Sequence, residues 1–137
     1  MRQTKKCLAG GRNYRIQQGL NSIANVELDI RKKAEDSILL EIEADLNKKT
    51  YDLFEDPNKG VYATKRLGLA RNVTTDSLNL INQWRTDLLK THKGNPRITA
   101  QLNKNFNARL KNAGTNMARW ETEQLDKHET NLQTARK

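Results

Sequence analysis

The sequence predicts an all-α protein that is extended rather than globular, with a long amphipathic N-terminal helix, a basic turn and an antiparallel helical hairpin. Three observations support this fold class. The 137 residues include only two prolines and seven glycines, and no β-branched run alternates with period two. Apolar residues recur at helical spacings along most of the chain. A hydrophobic content of 35% and a mean hydropathy of −0.92 are low for a compact core, which favours thin helical packing.

The chain divides into three segments. Residues 1–56 form a basic terminus and a long helical arm, residues 57–73 a basic junction, and residues 74–137 a helical hairpin with a polar C-terminal tail. The arm carries apolar residues at spacings of three, four or seven, which predict a helix from about Asn13 to Lys49. At 1.5 Å per residue this helix is roughly 50 Å long, more than a domain of this size needs, and such a length suggests assembly.

The apolar stripe of the arm is not an ideal coiled-coil seam. Its step from Ile23 to Ile30 passes over Glu27, and the later steps of four residues drift away from a strict heptad. The stripe and one face of the following helix are predicted to contact other protein chains. This candidate assembly face comprises Ile16, Leu20, Ile23, Ile30, Ile38, Ile42, Leu46, Leu78, Ile81, Trp84 and Leu88.

The junction begins where Pro57 ends the first helix, because its ring disfavours helical geometry at the preceding residue. The second helix is predicted from Thr74 to about Thr91. The Thr74 hydroxyl is expected to cap it, while Val73 packs against Leu78 as a hydrophobic staple.

A short turn separates the second and third helices and predicts that they are antiparallel. Gly94 can take the left-handed conformation that ends a helix, Asn95 can cap the next one, and Pro96 suits its first position. The third helix either continues through Gly114, which we prefer, or breaks there with Thr115 as a new cap.

The formal charge of +9 is unevenly distributed. Residues 1–15 and 57–73 contain cations and no acid, whereas residues 16–56 hold ten acids and five cations. The basic clusters could contact nucleic-acid phosphates, or they could pair with the acidic arm. The candidate contacts to nucleic acid or an acidic partner are Arg2, Lys5, Lys6, Arg12, Arg15, Lys59, Lys65, Arg66 and Arg71.

No motif in the sequence predicts catalysis, a metal site or a cofactor. Cys7 is the only cysteine, which excludes an intrachain disulfide and any metal site built on paired cysteines. His92 and His128 have no second histidine or carboxylate four residues away. Gly60 and Gly68 are not followed by the Lys-Ser or Lys-Thr pair of a phosphate-binding loop. We expect no enzyme, no small-molecule substrate and no transmembrane span, since no apolar run reaches about 18 residues.

The junction and hairpin resemble internal virion proteins, also called ejection proteins, of tailed bacteriophages. The resemblance lies in a Lys-Gly turn, a short basic helix, an Ala-x-x-Val-Thr step and a helix with a Trp-Arg pair. These features occur in KGVYATKRLGLARNVTTDSLNLINQWRTDLL and continue through NPRITAQLNKNFNARL. The likeness covers about residues 57–135. The chain is shorter than the long members of that group and has no lytic domain, which leaves open that it is a piece of a longer polypeptide.

The resemblance implies a helical protein that is packaged in the phage head or at the portal and expelled with the genome to help form a conduit through the cell envelope. It implies synthesis in the host cytoplasm and a final location in the virion. The implied partners are further copies of the chain and other virion proteins such as portal or tail, with packaged double-stranded DNA as an open candidate. Two alternatives remain: a basic helical nucleic-acid-binding module, and a coiled-coil filament subunit of another system.

Overall fold

The computed structural model describes the backbone of residues 4–136 and the side chains of residues 22–136, and over this range it contains helices and no strand. Helix α1 spans Thr4–Phe54, α2 spans Val61–Thr64, a 3₁₀ helix spans Leu67–Ala70, α3 spans Val73–Thr91 and α4 spans Pro96–Arg136. The predicted all-α class is confirmed, as is the hairpin, which α3 and α4 form by packing against each other.

The chain forms two compact units, an N-terminal unit of residues 1–40 and a C-terminal unit of residues 41–137. In the N-terminal unit every described side chain from Ser22 to Ala34 is exposed. The large apolar side chains of this range are among them: Ile23 is 59% exposed and Ile30 is 63% exposed. The predicted stripe is therefore not covered by the chain itself over this range, and Val26 and Leu28 widen the exposed apolar surface.

The C-terminal unit has a core built mainly from one face of α4. Its fully buried large side chains come from α1, α3 and α4: Leu46, Ile81, Ile98, Leu102, Phe106 and Met117. Complete burial of one such side chain contributes about 1.5–3 kcal/mol. The predicted stripe of the third helix is therefore the main wall of this core.

Polar side chains fasten the last turns of α1 to α4. The Arg109 guanidinium donates hydrogen bonds to Thr50 Oγ1 at 3.1 Å and to Asn47 Oδ1 at 2.7 Å. One turn earlier on α4, Asn105 Nδ2 donates to Glu43 Oε2 at 2.7 Å. Since these bonds join helices about sixty residues apart in sequence, they help to hold the end of α1 in place.

The turn between α3 and α4 follows the prediction in part. Asn95 Oδ1 accepts a hydrogen bond from the Ile98 N–H at 3.1 Å, so Asn95 caps α4 with Pro96 in the first position. Gly94 does not adopt a positive φ angle, so the predicted left-handed conformation is wrong. α4 runs through Gly114 without a break, and a Cβ atom placed there would meet Leu78 of α3 at an ordinary van der Waals distance of 3.7 Å.

Candidate functional site

The junction begins with a turn built on Asp56. The Asp56 carboxylate accepts hydrogen bonds from the backbone N–H groups of Asn58, at 2.8 Å, and Lys59, at 3.1 Å. These two bonds, Asn58 first, hold the pKa of Asp56 below its ordinary value, and the Lys59 charge adds to them. An aspartate that bonds the backbone two residues on is a common turn former, and here it reverses the chain directly after Pro57.

Gly60 closes this turn at a point where a side chain has no room. A Cβ atom placed on Gly60 would lie 2.6 Å from the Phe54 carbonyl oxygen and 2.6 Å from the Asp56 nitrogen. Both atoms belong to the backbone, so neither can rotate away. The Lys-Gly turn seen in the sequence therefore has a steric reason for its glycine.

Trp120 of α4 holds the next part of the junction. Its Nε1–H donates a hydrogen bond to the Lys65 carbonyl oxygen at 2.8 Å. Its ring also meets Tyr62 edge to face, with the ring centres 4.9 Å apart. Aromatic pairs of this geometry contribute about 0.5–1.5 kcal/mol beyond their burial. The basic segment is thus attached to α4 through its backbone, which leaves its cationic side chains exposed.

A buried glutamine supports a strained residue one turn further along α4. Leu67 has a φ angle of 53°, in the left-handed region that non-glycine residues rarely occupy. Its N–H donates to Gln124 Oε1 at 2.9 Å, and Gln124 is only 6% exposed. At the adjacent Gly68, a Cβ atom would lie 3.0 Å from His128 Nε2, so the backbone passes close to that imidazole.

Glu121 of α4 caps the N terminus of α3. Its carboxylate oxygens accept hydrogen bonds from the N–H groups of Asn72, at 3.2 Å, and Thr74, at 3.0 Å. Burial would raise the pKa of Glu121, but these amides and the Arg71 cation hold that pKa below its ordinary value. The prediction that Thr74 caps α3 is wrong, because the helix begins earlier, at Val73, and the Thr74 hydroxyl accepts no amide hydrogen bond.

Replacing Glu121 with Gln should lower the free energy of unfolding by about 1 kcal/mol near neutral pH, the usual effect of losing a helix cap. Because the folded pKa of Glu121 is depressed, its contribution is complete above the pKa of an unfolded glutamate, roughly 4.3. That contribution is lost as the pH falls through the lower folded pKa. Thermal unfolding of both proteins from roughly pH 7 down to pH 3 measures the difference, which should shrink in acid.

Glu123→Gln is the matched control, since Glu123 is an exposed carboxylate two residues along the same helix. It should leave the stability and its pH dependence close to those of the unaltered protein. A stability difference for Glu121→Gln that stays constant down to the lowest pH would contradict the capping role.

The four predicted cations of the junction, Lys59, Lys65, Arg66 and Arg71, are all exposed. Arg66 Nε also donates to the Tyr62 carbonyl oxygen at 3.1 Å, which fixes the base of its guanidinium. The cations of the N-terminal cluster lie outside the described side chains: Arg2, Lys5, Lys6, Arg12 and Arg15. The structure thus places one of the two predicted basic clusters, on a segment that α4 holds in position.

An apolar groove lies beside these cations, and we call it the junction groove. It encloses about 170 Å³. Its exposed apolar side chains are Leu69, at 69%, and Leu80, at 37%. The residues that line it include three leucines, two cations and one acid: Leu53, Leu69, Leu80, Lys65, Arg71 and Asp76.

The predicted assembly face is divided by the structure. Leu46 and Ile81 are buried in the core of the C-terminal unit, so they cannot contact another chain and do not belong to an assembly face. Ile23 and Ile30 are exposed, and the remaining described members are half-buried: Ile38, Ile42, Leu78, Trp84 and Leu88. Ile16 and Leu20 lie outside the described side chains. A helical spacing cannot separate a core residue from an exposed one, because both occupy the same stripe.

The sequence did not identify the partners of Trp120, Glu121, Gln124 and His128, which lie on α4. These partners are 47 to 57 residues away for the three hydrogen-bonding residues. The four-residue steps from Trp120 to Gln124 to His128 were the only available signal, and they indicate a shared face rather than a partner.

The described part of the chain contains no group of three or more His, Cys, Asp or Glu side chains that could hold a metal ion. None of its described helices is long and apolar enough to cross a membrane. No protein-family model, curated protein or solved structure matches this chain. The resemblance to ejection proteins therefore stays a prediction that rests on the residues quoted for it.

Proposed function

We propose that this protein is a non-enzymatic structural protein that self-assembles through its N-terminal helix. The observation that carries this proposal is the exposed apolar surface of the N-terminal unit. Between residues 23 and 40 five large apolar side chains are more than half exposed: Ile23, Val26, Leu28, Ile30 and Leu40. Exposed apolar surface of this density is typical of protein interaction sites, and burying it against another copy would remove its cost in water.

We propose further that the assembly belongs to a bacteriophage particle and assists genome delivery into the host. The support is the resemblance of residues 57–135 to ejection proteins, together with the absence of any motif for catalysis in the sequence. In this proposal the protein resides in the virion, and its partners are further copies of itself and other virion proteins such as portal or tail. Packaged double-stranded DNA is a further candidate partner.

Light scattering coupled to size exclusion tests the first part of the proposal. The molar mass of the purified protein should rise above that of one chain, 15.8 kDa, as the loading concentration increases. A mass that stays at one chain at every concentration would overturn self-assembly. Detection of the protein in purified phage particles tests the second part, and its absence from them would remove the virion role.

A second candidate function is nucleic-acid binding by the junction. The observation in its favour is that Lys59, Lys65, Arg66 and Arg71 are all exposed on a segment that has no acidic residue. Phosphate contacts of this kind release counterions, so binding to duplex DNA should weaken steeply as salt rises.

A triple variant tests whether DNA binds to the junction cations or is attracted only by the net positive charge of the protein. Replacing Lys59, Lys65 and Arg66 with Gln should reduce both the affinity for duplex DNA and the steepness of its salt dependence. The matched control removes three cations at the other end of the hairpin, Lys90, Lys93 and Lys104. Equal losses from both variants would indicate dependence on net charge alone, and no binding at low salt would remove this candidate.

A further inference from the structure

The junction groove has the form of a site for an amphipathic helix. Its floor is apolar, and Leu69 and Leu80 remain largely or partly exposed within it. Lys65 and Arg71 provide cations at the groove, whereas Asp76 provides a single acid. A matching occupant would present apolar side chains along one face together with a carboxylate at the position that meets the two cations.

The N-terminal helix presents such a face. Ile23, Val26, Glu27 and Ile30 stand at positions i, i+3, i+4 and i+7, the spacing by which a helix inserts its anchors into a groove. All four are exposed. We call this set the N-terminal face. Among its members Glu27 carries the only charge, and that charge is opposite in sign to those of Lys65 and Arg71.

We propose that the N-terminal face of one copy binds in the junction groove of a second copy. Ile23, Val26 and Ile30 cover the exposed leucines of the groove, and Glu27 meets Lys65 and Arg71. This inference rests on the proposed self-assembly and names the two surfaces that carry it. Both surfaces expose apolar side chains, and the charge of Glu27 is opposite to those of Lys65 and Arg71. A single contact between two copies therefore buries both apolar surfaces.

The proposed contact joins two different surfaces and is therefore heterologous. Such a contact closes into a ring if the rotation between copies allows it and otherwise propagates as a filament. It follows that a copy with a damaged face still has an intact groove, and a copy with a damaged groove still has an intact face. Two variants that each fail to self-associate should therefore associate with each other.

The experiment uses two full-length double variants. The face variant carries Ile23→Glu and Ile30→Glu, and the groove variant carries Leu69→Glu and Leu80→Glu. Each should self-associate at least about tenfold more weakly than the unaltered protein, since each loses apolar burial and gains a charge at the interface. An equimolar mixture should form one-to-one dimers, measured by light scattering and by capture of an untagged variant on a tagged one.

Asn25→Glu is the matched control, because it adds a charge at an exposed position of the same helix that lies off the N-terminal face and outside the apolar surface. It should leave association within about twofold of that of the unaltered protein. A groove variant that still self-associates fully, or a mixture that stays monomeric, overturns the proposed pairing while self-assembly itself stands. An unaltered protein that never associates overturns both.

A charge exchange keeps the test decisive if a double variant fails to fold. Glu27→Lys and Lys65→Glu each change an exposed side chain, and each alone should weaken association severalfold. Both changes in one chain should restore it, because Lys at position 27 then meets Glu at position 65 of the next copy. If the combined variant associates no more strongly than the single variants, the proposed contact is wrong.

Discussion

Replacing Phe106 with alanine is expected to lower the free energy of unfolding by about 3–5 kcal/mol, the largest effect of any single change considered for this protein. Phe106 lies in the N-terminal third of α4, is completely buried, and is one of the largest side chains in the core. The α4 backbone cannot collapse into the vacated space without moving its other buried side chains. The cost therefore includes a cavity term in addition to the lost burial.

Urea unfolding followed by circular dichroism at 222 nm should show a lower midpoint for Phe106→Ala with a similar slope. Phe106→Leu retains part of the volume and should cost distinctly less. Tyr51→Ala is the control for loss of an aromatic ring at an exposed position, since Tyr51 is 51% exposed, and it should change stability by less than about 1 kcal/mol. If Phe106→Ala and Tyr51→Ala had equal effects, α4 would not form the core wall assigned to it.

Replacing Gly60 with alanine is the second change with a large expected effect, a loss of about 2–3 kcal/mol in the free energy of unfolding. The reason is purely steric, because the backbone of Gly60 has φ −67° and ψ 158°, which any residue can adopt. The added methyl group would meet the carbonyl oxygens of Phe54 and Asp56 and the nitrogen of Asp56 at 2.6–2.7 Å. The turn has to open, and the Asp56 hydrogen bonds that form it are expected to weaken.

Gly94→Ala provides the matched control for this change. No atom lies within 4 Å of a Cβ placed on Gly94, and its φ angle is not positive. The substitution should be neutral or stabilise the protein by up to about 1 kcal/mol through the lower entropy of the unfolded chain. Thermal unfolding of the two alanine variants side by side tests the assignment, and a Gly60→Ala protein as stable as Gly94→Ala would show that the turn is less tight than described.

Local features of the sequence were sufficient to identify the three main helices and their order. Helical periodicity located the long first helix and the hairpin, Pro57 located the end of the first helix within a few residues, and the Asn95-Pro96 pair located the start of the last one. These signals depend on backbone geometry and on side chains within one turn of each other, so they do not require knowledge of the fold.

The failed prediction of the α3 cap depended on residues far apart in the chain. The cap of α3 comes from Glu121 rather than from Thr74. The fold of α4 brings the Glu121 carboxylate to the N–H groups of Asn72 and Thr74, which donate hydrogen bonds to it. Gln124 supports the strained backbone of Leu67 from a distance of 57 residues. The left-handed conformation expected at Gly94 occurs instead at Leu67 and Asn72, within the segment that α4 holds.

The sequence alone established the all-α class, the order of the main helices and the separation of acidic from basic segments. The predicted start of the first helix, at about Asn13, is wrong, because α1 begins nine residues earlier, at Thr4. Only the tertiary structure decided which parts of one apolar stripe are core and which remain exposed: Leu46 is buried, whereas Ile30 is not. It also decided that the junction is attached to α4 and borders an apolar groove. The physical reason is that periodicity reports which side chains share a face, whereas burial depends on the partner that packs against that face.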